Sequence, residues 1–227
     1  MYSLDDVRKR YGNGKTGVDA LSGVDLTIDA GEFVAIQGPT GQGKSTLLQL
    51  LGAMDRPSAG TVSYDGRDLG RLSEGELTRL RAREFGFVFQ TFNLIPTLSA
   101  GENVETALVA NRVHASERRR RAAEALAEVG LGHRAKHLPG ELSGGEQQRT
   151  AIARALVKEP RVILADEPTG NLDQDTRDEI VALLEELWRT HGVTVVVVTH
   201  DDLVAARAPR RMRLEAGRMH ADSAVGA

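Results

Sequence analysis

Phe33-Val-Ala-Ile-Gln-Gly-Pro-Thr-Gly-Gln-Gly-Lys-Ser-Thr-Leu-Leu-Gln-Leu-Leu, residues 33–51, decides the fold. An apolar run, a glycine-rich turn and a second apolar run follow without a gap, and Gly38 to Ser45 matches G-x-x-x-x-G-K-[ST]. A strand, a loop and a helix in that order hold a phosphate chain. Glycines let backbone N–H groups converge on phosphate oxygens, and the helix start adds partial positive charge. Lys44 is of the type that reaches β and γ phosphates, and Ser45 of the type that ligates Mg²⁺. An ordinary glycine-rich turn is the competing reading, and the flanking strand and helix weigh against it.

Working outward, Val162-Ile-Leu-Ala and Val193-Thr-Val-Val-Val-Val join Phe33-Val-Ala-Ile as continuous apolar runs, as expected of parallel strands covered on both faces. Val24-Asp-Leu-Thr-Ile-Asp instead alternates with period two, the pattern of an antiparallel edge strand with one wet face. From about 97 to 158 the periodicity is helical. Ser116 to Val129, for example, sets Ala122, Ala125, Leu126 and Val129 on one face before Gly130. The expectation is one α/β domain over residues 1–227. Its core of mixed, largely parallel sheet takes in about 1–96 and 159–227, with an antiparallel β part and a helical insertion at about 97–158. Arg213-Leu-Glu-Ala-Gly-Arg-Met reads as a closing hairpin turning at Ala216-Gly217, and Ser223-Ala-Val-Gly-Ala as a frayed tail.

Composition narrows the function classes. The 227 residues are 41% apolar and 27% charged, which is globular, and 29 Lys plus Arg against 32 Asp plus Glu leave a net charge of −3. That balance provides no overall basic field for nucleic acid, which is not expected as a partner. Cysteine is absent, so disulfides, thiolate metal sites and thiol nucleophiles are excluded together. The longest apolar run, Val195 to Val198, is far short of the roughly 20 residues that span a bilayer. Charges in Met1-Tyr-Ser-Leu-Asp-Asp-Val-Arg-Lys-Arg stand where a signal peptide needs its apolar segment, so a cytoplasmic location is expected.

Two further segments suit phosphate chemistry. The run Val162 to Ala165 ends in Asp166-Glu167, two acids at the carboxyl edge of a parallel strand. Phosphoryl transfer needs a metal-holding acid, which suits Asp166, and a group that orients the attacking water, which suits Glu167. In Leu142-Ser-Gly-Gly-Glu-Gln-Gln-Arg, Ser143 and Glu146 form a capping box, continued by the stripe Ala151, Ile152, Ala155 and Leu156. A plain capped helix leaves Gly144-Gly145 in the first turn unexplained; a second phosphate-binding helix terminus accounts for both. Other features read blandly. Arg118 to Arg121 is a solvated face, His133 and His137 are surface histidines without a third ligand, and Asp173-Gln-Asp-Thr-Arg-Asp lacks the glycine and terminal glutamate of a calcium loop.

Taken together, Gly38 to Ser45, Leu142 to Arg149 and Val162 to Glu167 resemble the Walker A, signature and Walker B motifs of ABC ATPases, and the match runs over nearly the whole chain. The resemblance implies a P-loop NTPase core and extends to four more places. Tyr11 is similar to the aromatic that stacks on adenine, Gln90 to the Q-loop residue, Asn171-Leu172-Asp173 to the D-loop and His200 to the switch histidine. It implies ATP and Mg²⁺ as cofactors, with Glu167, His200, Gln90 and Lys44 catalytic and Ser45, Gln90 and Asp166 at the metal. Nucleotide contacts would come from Tyr11, Gly38, Pro39, Thr40, Gly41, Gln42, Gly43, Lys44, Ser45, Thr46, Ser143, Gly144, Gly145 and Asp173. In that family two domains dimerise head to tail on ATP, so Ser143 and Gly145 would act on nucleotide held by the other chain. The partner implied is an integral membrane permease, which would place the chain peripherally on the inner face of the membrane.

Gln90-Thr-Phe-Asn-Leu-Ile-Pro-Thr-Leu with Glu102-Asn-Val, and Asp166-Glu-Pro-Thr-Gly-Asn-Leu-Asp, look most like the lipoprotein-release and macrolide-export group, which implies release or export of lipoprotein, peptide or drug-like substrates. The alternative implied by the same group is an ATPase that regulates a cell-division membrane protein and its cell-wall enzymes without transport. Departures are Ala100-Gly101, where a leucine is usual, and Gly140-Glu141 before the signature; neither touches the hydrolytic residues. Phe92, Leu94, Ile95 and Pro96, an apolar cluster just after Gln90 and just before the helical insertion, are either packed under that insertion or displayed to a partner, and the resemblance implies the partner.

Overall fold

The computed structural model describes residues 1–12 and 17–221, so the tail expected at Ser223 to Ala227 lies outside the described residues. The chain forms two compact units, Met1–Thr78 with Thr194–Ala227, and Arg79–Val193.

The first unit holds two groups of strands. Strands β1 (Tyr2–Tyr11), β2 (Val18–Ile28), β4 (Ala59–Tyr64) and β5 (Arg67–Asp68) form an antiparallel sheet in the order β2-β1-β4-β5. The period-two reading of Val24 to Ile28 holds. Val24, Leu26 and Ile28 are buried while Asp25 and Thr27 are exposed, and β2 lies at the sheet edge. In the other group, β3 (Phe33–Gln37) lies parallel to both β8 (Thr194–Thr199) and β9 (Arg210–Glu215), with β10 (Arg218–Ala221) antiparallel on β9. Phe33 to Ile36 and Val195 to Val198 are buried throughout, as continuous apolar runs require. Helix α1 (Lys44–Leu51) buries Leu47, Leu48, Leu50 and Leu51, and the short α7 (Asp202–Ala205) follows β8. The β9–β10 turn falls at Ala216 and Gly217, both at positive φ, as the hairpin reading expects.

Helix α2 (Glu74–Arg83) leads the chain into the second unit, where β6 (Phe85–Phe89) pairs in parallel with β7 (Val162–Asp166). Between these strands run α3 (Ala100–Val109), α4 (Ala115–Glu128) and α5 (Gly144–Leu156), with no strand from 97 to 158. After β7 comes α6 (Gln174–His191). In α4 the buried side chains are Ala122, Ala125 and Leu126, the face expected from the periodicity. Its arginines are occupied locally: Arg120 meets Glu117 and Glu124, Arg121 meets Glu117, and Arg118 donates to the Val113 carbonyl. Arg120 and Arg121 hold the Glu117 carboxyl down at about 2. Parallel sheet, antiparallel sheet and helices together make the α/β architecture that the sequence predicts.

Candidate nucleotide site

The phosphate-binding loop runs from the end of β3 to the start of α1. Gly43 is the residue before the helix, at φ 95°, and a Cβ there would lie 2.2 Å from the Ala20 carbonyl oxygen. Only glycine meets both demands. Lys44 folds back over its own loop: its Nζ donates to the carbonyls of Gly38 (2.6 Å) and Pro39 (3.1 Å), and the residue is 6% exposed. A buried ammonium held by these carbonyl dipoles is suited to an incoming anion. Ser45 is exposed and Thr46 half-buried in the first turn of α1. The Gln42 side chain is committed elsewhere, since its Oε1 accepts from the Ala216 N–H at 2.6 Å and so ties the loop to the closing hairpin.

Around this loop the first unit also places His200, exposed at the end of β8, where the preceding Thr199 carbonyl accepts from the Gly38 N–H at 3.3 Å. Tyr11, 42% exposed, stands at the end of β1 with its phenol donating to Asp55 Oδ2 at 3.0 Å.

In the second unit the predicted residues lie at the end of β7, after β6, at the start of α5 and at the start of α6. Strand β7 ends on half-buried Asp166, and Glu167, also half-buried, sits at φ 45°, a left-handed conformation that a glutamate adopts only under constraint. Gln90 exchanges two hydrogen bonds with Asn171: its Nε2 donates to Oδ1 (3.1 Å), and Asn171 Nδ2 donates to the Gln90 carbonyl (3.0 Å). Ser143 caps α5 by accepting from the Glu146 N–H at 3.2 Å, and Glu146 in return accepts from the Ser143 N–H at 2.8 Å. That backbone bond, helped by Arg134, holds the Glu146 carboxyl below its ordinary range. Asp173 caps α6 through the Thr176 N–H and hydroxyl, which likewise depresses its carboxyl.

Gly145 has an internal reason that the sequence did not reveal. A Cβ there would sit 2.5 Å from the Thr176 methyl carbon, so the glycine admits the first turn of α6. Three further residues escaped the sequence reading. Gln148, fully buried, donates its Nε2 to the Pro168 carbonyl at 2.5 Å and fastens α5 to the segment that follows Glu167. Arg154 donates to the carbonyls of Phe92 (2.7 Å) and Asn93, both at positive φ. Asn103, 0% exposed, donates to the carbonyls of Ile95, Leu98 and Ser99 and accepts from the Ile95 N–H at 2.7 Å. A polar residue on the buried face of an amphipathic helix was the available signal for Asn103. Arg154 carried none, because an arginine on a helix gives no clue that it will reach a loop 61 residues away.

No group of three or more His, Asp or Glu able to hold a metal ion occurs among the described residues. A Mg²⁺ ion does not need one in this setting, since it usually takes one or two protein oxygens and completes its shell from phosphate and water. The hydroxyl of Ser45 and the carboxylate of Asp166 are hard oxygen donors of that type.

This strand, loop and helix, with its desolvated lysine, defines a phosphate-binding nucleotide fold. The model of the ABC transporter family matches residues 21–170. The chain is 50% identical to the lipoprotein-releasing system ATP-binding protein LolD of Geobacter metallireducens, over 98% of this chain and 99% of that protein. It is also 50% identical to the macrolide export ATP-binding/permease protein MacB of Hyphomonas neptunium, over 98% of this chain but 34% of the relative, so it spans about a third of that protein's length. Among solved structures, the dimeric MJ0796 ABC transporter cassette superposes with a TM-score of 0.89 at 46% identity, covering 97% of this chain and 98% of that one. Another MJ0796 structure, with the same score, is a dimeric post-hydrolysis state bound to ADP and Pi. The chain belongs to the ABC transporter family and is one of its ATP-hydrolysing cassettes.

Proposed function

We propose that the chain binds MgATP on Gly38 to Thr46 with Tyr11 against the adenine, hydrolyses it as a homodimer, and drives an integral membrane permease of the release or export type. The observation that carries this reading is the loop itself: Gly43 in a conformation open only to glycine, and Lys44 desolvated against carbonyls. Lys44 neutralises the β and γ phosphates. Ser45 and Asp166, with Gln90, hold Mg²⁺, which supplies charge neutralisation on the phosphate oxygens when bound. Glu167 orients a water and takes its proton as the oxygen attacks the γ-phosphorus and the bond to ADP breaks. His200 and Gln90 read the γ-phosphate end. Ser143, Gly144 and Gly145, with Asp173, serve nucleotide held by the second chain.

Residues 97–158 form the helical lobe of the cassette in this reading, and the loop 92–96 meets the permease. Support for the permease comes from that loop's exposure, Ile95 being 43% exposed, and from the ATP-binding/permease relatives. No helix among the described residues is long and apolar enough to cross a membrane. In this reading the permease brings the cassette to the inner face of the membrane. The relatives named above are called releasing, export or transporter proteins, which favours transport over a purely mechanical regulator.

Glu167→Gln tests the chemistry. The variant keeps the shape and loses the base, so turnover falls by roughly 10²- to 10⁴-fold while ATP binding persists. ATP-stabilised dimers then accumulate and are read by size-exclusion chromatography with light scattering. Near-normal phosphate release by this variant removes Glu167 from the role.

A further inference from the structure

Behind Tyr11 stands a built group of side chains that the motifs do not include. Lys9 and Tyr11 are two apart on β1, and both side chains reach Asp55. Asp55 lies between α1 and β4, 44 residues further along. Its two oxygens are divided: Oδ1 accepts from Lys9 Nζ at 2.6 Å and from the Arg56 N–H at 2.7 Å, and Oδ2 accepts from the Tyr11 phenol at 3.0 Å. Lys9 Nζ additionally donates to the Arg56 carbonyl at 2.8 Å and lies 4.9 Å over the Tyr11 ring centroid. The Lys9 side chain is only 11% exposed.

The backbone that carries Asp55 is itself stitched to β1. Ser58 N–H donates to the Arg8 carbonyl at 2.8 Å, and the Arg10 N–H donates to Ser58 Oγ at 3.1 Å. Arg56 reaches the other way, to the Leu72 carbonyl and to Glu74. The carboxylate therefore presents its oxygens from a fixed frame. Burial opposes its ionisation, but the bonds from Lys9, Arg56 and Tyr11 outweigh that and hold it below its ordinary range.

An exposed tyrosine at a strand end would ordinarily sample several rotamers, and a flat ligand would have to fix one on binding. Here the phenol end is tied down and one ring face is covered by an ammonium, which leaves the exposed part of the ring in one orientation. We propose that Asp55 and Lys9 are the positioning pair of the nucleobase site, holding the Tyr11 ring ready for adenine. The inference rests on the reading of Tyr11 as the adenine platform and adds to it the residues that orient the platform.

The test separates base from phosphate. Binding of adenylyl imidodiphosphate and of inorganic tripolyphosphate, each with Mg²⁺, is measured by calorimetry for the wild type and for Tyr11→Ala, Tyr11→Phe and Asp55→Asn. Tyr11→Ala examines the platform itself. Tyr11→Phe keeps the ring and removes only its tether, and Asp55→Asn removes the anchoring charge. The expected result is a loss of affinity for the adenine nucleotide of about 3- to 10-fold in Tyr11→Phe and Asp55→Asn, with no loss for tripolyphosphate in Tyr11→Phe. A general structural defect would weaken both ligands together and overturn the assignment. If Tyr11→Ala loses the adenine preference but Tyr11→Phe retains it, the platform stands and the positioning pair does not. If Tyr11→Ala keeps the preference, both fall. Should Asp55→Asn fail to fold, Tyr11→Phe alone carries the comparison, since it alters neither charge nor packing volume by more than one oxygen.

Discussion

Glu167 and Lys158 show how single residues are held away from their comfortable states. Glu167 follows the last residue of β7 at φ 45°, where an L side chain crowds its own backbone at a cost of order 1–3 kcal/mol. The buried run before it and Gln148 on the Pro168 carbonyl after it hold the chain in that turn. Lys158, near the end of the signature helix, is a different case. Its Nζ donates to the Arg81 carbonyl at 2.6 Å, it has no carboxylate partner among the described residues, and burial pushes its amine down to about 8 from an ordinary 10.5. Together with Arg154, Phe87 and Phe89 it lines a cavity of about 260 Å³. Below pH 8 folded and unfolded chains both carry the charge, and the burial penalty is present in full. Between about 8 and 10.5 the unfolded chain binds more protons, so stability rises with pH across that window. Denaturant titrations at pH 7, 9 and 10 should show that rise in the wild type and its loss in Lys158→Met, which should also be the more stable protein at pH 7.

Caps govern the elements. Helices α3 and α5 begin with the same device, Ser99 with Glu102 and Ser143 with Glu146, in which serine and glutamate each satisfy a backbone N–H of the other. Both glutamates are held below their ordinary range, chiefly by the serine N–H. A depressed carboxyl contributes stability that is present above about pH 4.5 and disappears as pH falls through the folded-state value. Ser143→Ala should therefore lower stability by about 1 kcal/mol at pH 7, the usual worth of a serine cap. Glu146→Gln should lose stability at pH 7 but show a shallower decline between pH 5 and 3 than the wild type (roughly the span over which a paired glutamate protonates). Thermal melts across that range decide both. An unchanged acid limb in Glu146→Gln would mean that the capping carboxylate plays no part in acid unfolding.

At the scale of the proposed assembly, two predictions concern the loop after Gln90 and the start of α5. The loop after Gln90 is fastened from behind, Arg154 holding the carbonyls of Phe92 and Asn93 and Asn103 holding residues 95 to 99, while Ile95 and Pro96 remain exposed. Leu94→Glu and Ile95→Glu should leave folding and basal ATPase intact and abolish stimulation by the permease purified with the cassette. Unfolding of both variants in circular dichroism would instead make the loop part of the core. The second prediction concerns the shared site: Lys44→Ala chains mixed with Ser143→Arg chains leave one composite site of each heterodimer intact. Recovery of phosphate release towards about a quarter of the wild-type level, since half of the dimers in an equal mixture are heterodimers and each keeps one site of two, absent in either variant alone, is the outcome expected of action in trans.

What could be read from the sequence was whatever depends on neighbours along the chain. The loop from Gly38 to Ser45, the capping boxes, the alternation in β2, the continuous apolar strands and the Ala216-Gly217 turn are each set by a few consecutive residues, because hydrogen bonds and side-chain periodicity at that range follow backbone geometry. Strand β6 was passed over, since Phe85-Gly-Phe-Val-Phe is short and interrupted by glycine. Only the tertiary structure decided what joins distant segments: Asp55 beneath Tyr11, Gln148 on Pro168, Arg154 on the loop after Gln90, and Gly145 against Thr176. Each is a polar or steric match between residues 20 to 62 positions apart, except that Gly145 and Thr176 meet by packing alone. A side chain that satisfies a remote carbonyl looks, in sequence, like any other polar residue on a helix. Its partner is chosen by which backbone groups burial has left without water, and that choice is made only when the chain has closed on itself.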